Sequence, residues 1–130
     1  MNVKHVLTVL CVLGLLAAFA GAASAHHSVA GFDNKKEVVL KGTVVQFIWR
    51  NPHVLLLWDV KDENGKVTQW SGEMNSPTSM IQVGMNRESL KPGDEVLVTI
   101  NPSKTNNPLA VIRKVTKADG QLVVDRITPQ

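Results

Sequence analysis

Cysteine is missing from the chain after residue 25, and tyrosine is missing altogether. The lone Cys11 lies in the first apolar block, so the rest of the chain can hold no disulfide framework, no cysteine-ligated metal and no thiol nucleophile. A strong charge of either sign is missing too, since 14 Lys and Arg stand against 11 Asp and Glu for a formal net charge of +3. The pI of 9.2 therefore reflects a small surplus on 130 residues and implies no nucleic-acid partner. No internal repeat, low-complexity tract or phosphate-cradling loop is present, and no Ser-His-Asp spacing stands out. The length leaves room for one domain, which can bury a core without staples.

Long apolar runs are also absent, except at the start, where the first 25 residues hold much of the 44% hydrophobic content. Lys4 is a positive charge, Val6 to Ala20 is an unbroken apolar middle, and Gly21-Ala22-Ala23-Ser24-Ala25 is a small-residue exit. Ala23-Ser24-Ala25 fits the narrow pockets of a signal peptidase, and the three parts together read as a cleaved secretory signal. The competing reading is an uncleaved anchor, because Val6 to Ala25 is just long enough to span a bilayer. Its last third of Ala, Gly and Ser argues against that, and Cys11 lacks the setting of a lipoprotein cysteine. The chain thus divides into a signal over 1–25, a polar arm over 26–36 and a domain over 37–130. The location implied is periplasmic or secreted, with no stable membrane anchor after cleavage.

From Val38 onward, short β-rich runs alternate with turn signals. Strands are expected over Val38–Trp49, His53–Val60, Lys66–Met74, Glu95–Ile100, Leu109–Lys117 and Gln121–Ile127. Gly42 suggests a bulge or bend inside the first of these. Asn51-Pro52, Asp62-Glu63-Asn64-Gly65, Lys91-Pro92-Gly93-Asp94 and Asp119-Gly120 are the breaks and turns. Ser76 can cap a helix with Pro77 in its first turn, and Met80, Ile81, Val83 and Met85 supply an apolar side for about two turns. The fold class is therefore all-β: a small OB-like barrel of five to six strands with one short helix between strands three and four. A β-sandwich with a covering helix is the alternative.

The chain also carries His26-His27-Ser28, Phe32-Asp33, Leu40-Lys41-Gly42-Thr43-Val44, Trp49-x-Asn51-Pro52-His53 and Leu90-Lys91-Pro92-Gly93-Asp94. In this combination it resembles a group of secreted bacterial proteins known only as a domain of unknown function. The resemblance covers the whole chain after residue 25 and implies an export signal and a small barrel-like domain. It implies no activity.

Cleavage after Ala25 makes His26 the N-terminus. A terminal histidine offers its α-amine, with a pKa near 8, and its own imidazole as a chelating pair. A second imidazole completes a flattened three-nitrogen set, which favours Cu(II) over other common divalent metals. This is similar to the histidine brace of copper oxygenases and of some periplasmic copper proteins. His53, at the start of a strand, is the candidate for the third nitrogen, and His27 is the alternate ligand. Asp33 or Glu73 are available oxygen donors that the sequence does not place. The bland reading is a His-His end with weak generic metal affinity, and a His53 that merely closes a strand.

Trp49, Arg50 and Asn51 form a second candidate surface, in which an exposed aromatic beside a cation would recognise a small molecule or a sugar. Trp58 and Trp70 sit inside apolar strands and are expected to fill the core. Met74, Met80 and Met85 could supply soft thioether ligands, but core packing is the usual use of methionine. Lys35, Lys36, Lys114 and Lys117 read as solvated charges. Two classes of function follow. One is an exported ligand-binding domain holding copper or a similar ion through His26, His27 and His53. The other is a metal-free binding or envelope-interaction module using Trp49, Arg50 and Asn51. Enzymatic chemistry ranks last, because only the brace would support it; the missing tyrosine and the small size argue against an oxygenase.

Overall fold

Alternation of apolar and polar residues from Val38 builds a curved sheet whose inner face is continuous. The computed structural model of the protein describes residues 30–125, together with Asn2; the rest of the segment read as a signal, His26 and His27 lie outside the described residues. The strands are β1 (Val38–Ile48), β2 (Leu55–Lys61), β3 (Val67–Glu73), β4 (Glu95–Pro102), β5 (Leu109–Lys117) and β6 (Leu122–Val124), with helix α1 (Pro77–Gln82) between β3 and β4.

Neighbouring strands run in the order β3-β2-β1-β4-β5-β6, and β3 also pairs with β5. That last pairing is parallel, with Ser71, Gly72 and Glu73 opposite Leu109, Ala110 and Val111. It closes five strands into a barrel and removes their free edges, leaving β6 as an extra strand on the far end of β5. Closure rules out the sandwich. Among the described residues no helix is long and apolar enough to cross a membrane.

Parity along each strand decides what lies inside, because side chains alternate across a sheet. Val44, Leu56, Trp58, Val96, Val98, Ile100, Ile112 and Val115 are all buried. Register shifts at Val44/Gln46 on β1 and opposite Thr99/Ile100 on β5 each add one residue, so that Phe47 and Ile112 return to the inner face. The bulge on β1 is therefore at Val45 and not at Gly42, which pairs regularly with Val96.

Gly42 serves a different purpose. A Cβ there would meet the Trp58 ring and the Asp59 carbonyl, and a Cβ on Gly72 would meet Trp58 and Ile112. The indole thus lies across the barrel in space left by two missing side chains, stacked on Trp70 with centroids 6.2 Å apart. Its Nε1–H has no hydrogen-bond partner among the described residues. An orphaned N–H costs about 1–3 kcal/mol, whereas burying a ring of this size gains roughly 4–6 kcal/mol at ~25 cal/mol/Å². Burial wins.

α1 begins where Ser76 Oγ accepts the Ser79 N–H at 3.3 Å, with Pro77 in the first turn. It ends sooner than the apolar spacing suggests, because Gly84 takes φ 88°. The Gly84 N–H then bonds Ile81 O at 3.0 Å and the Met85 N–H bonds Met80 O at 2.9 Å, the double closure of a helix by a left-handed residue. Met80 and Met85 are both buried, while Ile81 and Val83 face outward.

Residues 31–36 of the polar arm lie against the barrel. Phe32 bridges Ser103, the Asp33 N–H bonds Pro102 O at 2.9 Å, and the Lys104 N–H bonds Gly31 O at 3.0 Å. Asn101, a polar residue buried at the edge of the core, donates its side-chain N–H to Lys36 O at 2.8 Å.

Candidate functional site

His53 is positioned from two sides by backbone pairing. The next residue, Val54, is fully buried; its N–H bonds Asn75 O at 3.1 Å and its carbonyl accepts the Met74 N–H at 2.8 Å. This extends the β2–β3 ladder by one residue and fixes the Cα direction of His53. On the other side the chain turns through Asn51 and a cis Pro52.

The ring's Nδ1 faces two acceptors, the Met74 carbonyl at 2.9 Å and Glu73 Oε1 at 3.2 Å. Neither can donate, so Nδ1 carries the hydrogen and the neutral ring places its lone pair on Nε2. Nε2 has no hydrogen-bond partner among the described residues, and the side chain is 36% exposed. A histidine whose Nδ1–H is held by a carbonyl and a carboxylate is oriented as metal-bound histidines are. The same arrangement also suits a hydrogen-bond acceptor toward any ligand.

Of the other predicted residues, Arg50 and Asn51 are exposed next to His53 in the chain. Trp49 is half-buried rather than exposed, packed edge-on against Phe47 at 5.8 Å and 62°. Its ring belongs in part to the core rim, so it is a poorer stacking platform than its sequence position suggests. Glu73 reaches His53, whereas Asp33 lies where the arm meets β4 and accepts the Lys35 N–H at 3.2 Å. Among the described residues no group of three His, Cys, Asp or Glu side chains could hold a metal, so any metal at His53 needs ligands from elsewhere.

Two motifs have structural roles. Met74, Met80 and Met85 are all in the core. The Lys91–Asp94 turn docks on β1, with the Gly93 N–H on Val44 O at 2.8 Å and the Val44 N–H on Asp94 O at 2.9 Å. The Asp94 carboxylate accepts the Lys91 N–H at 3.0 Å and pairs with Lys117 at 3.1 Å. The Lys91 backbone bond holds this carboxyl below its ordinary value; partial burial opposes the shift, and Lys117 adds to it.

One feature of the surface is not legible as a motif. A cleft of about 410 Å³ opens at the end of the barrel where β1 starts and β4 finishes; of the candidate ligand residues it contains Asp33, and none of His53, Trp49, Arg50 and Asn51 lines it. Trp70, which local pattern assigns to the core, lines it while remaining half-buried. The signal available beforehand was the shared inward parity of Val38, Leu40 and Trp70, which only the strand pairing turns into a common surface.

Residues 13–111 match the model of a family of unknown function, DUF6152. No curated protein and no solved structure matches the chain. The family match agrees with the resemblance carried by the motifs to the extent that both are to a domain of unknown function.

Proposed function

The chain belongs to the DUF6152 family, and on that premise we propose that it is an exported, OB-like binding domain that takes up a Cu(II)-like ion through His53 and the histidines of its processed N-terminus. The observation that carries this reading is the His53 ring, with Nδ1 held by Met74 O and Glu73 and Nε2 left as a lone-pair donor. His26 would add its amine and imidazole after cleavage at Ala25, and His27 would be the alternate ligand. The strand order β1-β2-β3-β5-β4 around the barrel, with a helix between β3 and β4, supports an OB-like assignment. Export rests on the charged start, apolar middle and small-residue exit of residues 1–25, and the location this implies is periplasmic or secreted.

The alternative is a metal-free module using Trp49, Arg50 and Asn51. The exposure of Arg50 and Asn51 favours it, and the partial burial of Trp49 weighs against it. The deciding experiment titrates Cu(II), by calorimetry and electron paramagnetic resonance, into protein beginning at His26, into the same protein with an extra Met before His26, and into His53→Ala. One nitrogen-coordinated copper per chain is expected in the first, with affinity at least tenfold weaker in the other two. Equal and weak binding by all three would refute the reading.

A further inference from the structure

We propose that the cleft at the β1–β4 end of the barrel is a second binding site, for an uncharged planar aromatic molecule with a polar edge. It is separate from the His53–Glu73 pair and does not depend on it. Barrel mouths are a usual place for small-molecule sites, and the volume of about 410 Å³ lies within their ~300–1,000 Å³ range. The floor is apolar. Val38 and Leu40 of β1, Trp70 of β3 and Ile100 of β4 line it, and Val38 stands directly opposite Ile100 in the β1–β4 register. One face of the Trp70 ring is taken by the buried Trp58 indole, stacked at 29°. The half-buried remainder borders the cleft, where a flat ring can pack on an aromatic surface already held in place.

The rim decides the charge of the ligand. Lys36 brings one cation and Asp33 one carboxylate, both from the same arm. Asp33 Oδ1 accepts the Lys35 N–H at 3.2 Å, which leaves Oδ2 to the opening. Lys104, also on the rim, already has an interaction of its own. The opposed charges of Lys36 and Asp33 balance. An ion of either sign meets one attraction and one repulsion there, and it gives up water over an apolar floor; an uncharged ligand avoids that cost. The polar edge has its counterpart in the connection between β4 and β5. Ser103 and Thr105 share a bond between their hydroxyls at 2.8 Å, and Asn107 donates its amide N–H to Thr105 at 3.1 Å. Asn106, exposed at φ 60° and on the same rim, has no side-chain partner among the described residues. Its amide offers a donor and an acceptor together, the pair that a carboxamide or ring lactam on the ligand would match.

The test uses the full chain in the form in which the host accumulates it, with three probes of one shape: 2-naphthamide, 2-naphthoate and 2-naphthamidinium. Decahydro-2-naphthamide is the non-planar fourth. Affinity is measured by nuclear magnetic resonance titration, and the Trp70 indole N–H resonance, identified with Trp70→Phe, reports location. Expected are saturable binding of 2-naphthamide that moves the Trp70 signal, and binding of each ion and of the non-planar amide weaker by about fivefold or more. Raising the salt tenfold should leave the 2-naphthamide affinity unchanged. Val38→Phe, which fills the mouth from a half-buried position, should abolish saturable binding. Asn106→Gly, which keeps the left-handed backbone, should weaken it by about threefold or more. Unchanged melting will show that each variant is folded, and the ranking of the four probes on the parent needs no variant. Ile81→Ser, on the exposed side of α1, should change nothing. The proposal falls if either ion or the non-planar amide binds as tightly as 2-naphthamide, if either folded variant binds like the parent, or if no probe perturbs Trp70.

Discussion

Gly42 of β1 approaches the Trp58 indole of β2 so closely that a Cβ built on it would lie 2.7 Å from the ring's Cδ1. The same atom would run into the Asp59 carbonyl oxygen, which is backbone and cannot swing aside. The glycine of the Leu40–Val44 motif is thus a steric requirement of the largest core side chain, and the bend expected of it sits three residues further on.

Replacement of Gly42 by alanine should therefore be among the most damaging single-methyl changes in the protein. A loss of about 3 kcal/mol is expected, since overpacking against rigid backbone stands at the upper end of such effects. For a domain of this size that is about 10–20 °C in Tm. Thermal unfolding followed by near-ultraviolet circular dichroism, which senses the Trp58–Trp70 pair, would check it; a shift below a few degrees would show that the barrel opens readily at β1.

Glu73→Gln keeps an acceptor near the His53 Nδ1–H but removes the negative charge 3.2 Å from it. If His53 binds copper, affinity should fall about tenfold, the usual effect of altering an outer-shell carboxylate. Melting should hardly change, because the pair is partly exposed. Calorimetry on the processed chain reads both quantities.

Asp94 gives the fold a predictable response to acid. Its carboxyl is held below the ordinary value of 3.8, chiefly by the Lys91 N–H. The unfolded chain binds this proton first on acidification, so the stabilisation is fully present above pH ~4 and disappears as the pH falls through the folded value. Asp94→Asn should lower stability at neutral pH by a few tenths to about 1 kcal/mol and flatten the decline of Tm between about pH 4 and pH 2. Parallel curves for parent and variant would contradict this.

Asn101→Ala removes the buried donor to Lys36 O and leaves that carbonyl without its partner. A loss of about 1–3 kcal/mol is expected, with faster amide exchange at Asp33 and Lys36. Exchange unchanged at those two amides would show that Phe32–Ser103 pairing alone holds the arm.

Much of the barrel is legible in single stretches of chain. Ser76-Pro77 marks the helix start, the alternation of Thr68 and Trp70 with Val67 and Gln69 assigns the faces of β3, and Leu109–Lys117 is found at its expected bounds. The misjudged boundaries have local causes that long-range pairing overrides. Asn101 and Pro102 look like loop, yet β5 pairs with both and the arm covers the asparagine. Met85 looks helical by spacing, yet the left-handed Gly84 stops the helix first. The candidate site was only half visible. His53 stands out as a histidine at an expected strand start, but its choice of Glu73 over Asp33 depends on β2 and β3 lying side by side.

By itself the sequence determined the strand inventory, the turns, the parity within each stretch free of bulges, and the absence of any cysteine chemistry after residue 25. These follow from periodicity and residue type, which act over a few residues. Only the tertiary structure decided the parallel closure of β3 on β5, the lodging of Trp58 between Gly42 and Gly72, the tautomer of His53, and the meeting of Val38, Trp70 and Ile100 in one apolar floor. Each of these joins segments far apart in the chain. Their geometry is set by which strands share hydrogen bonds, and local pattern carries no record of that choice.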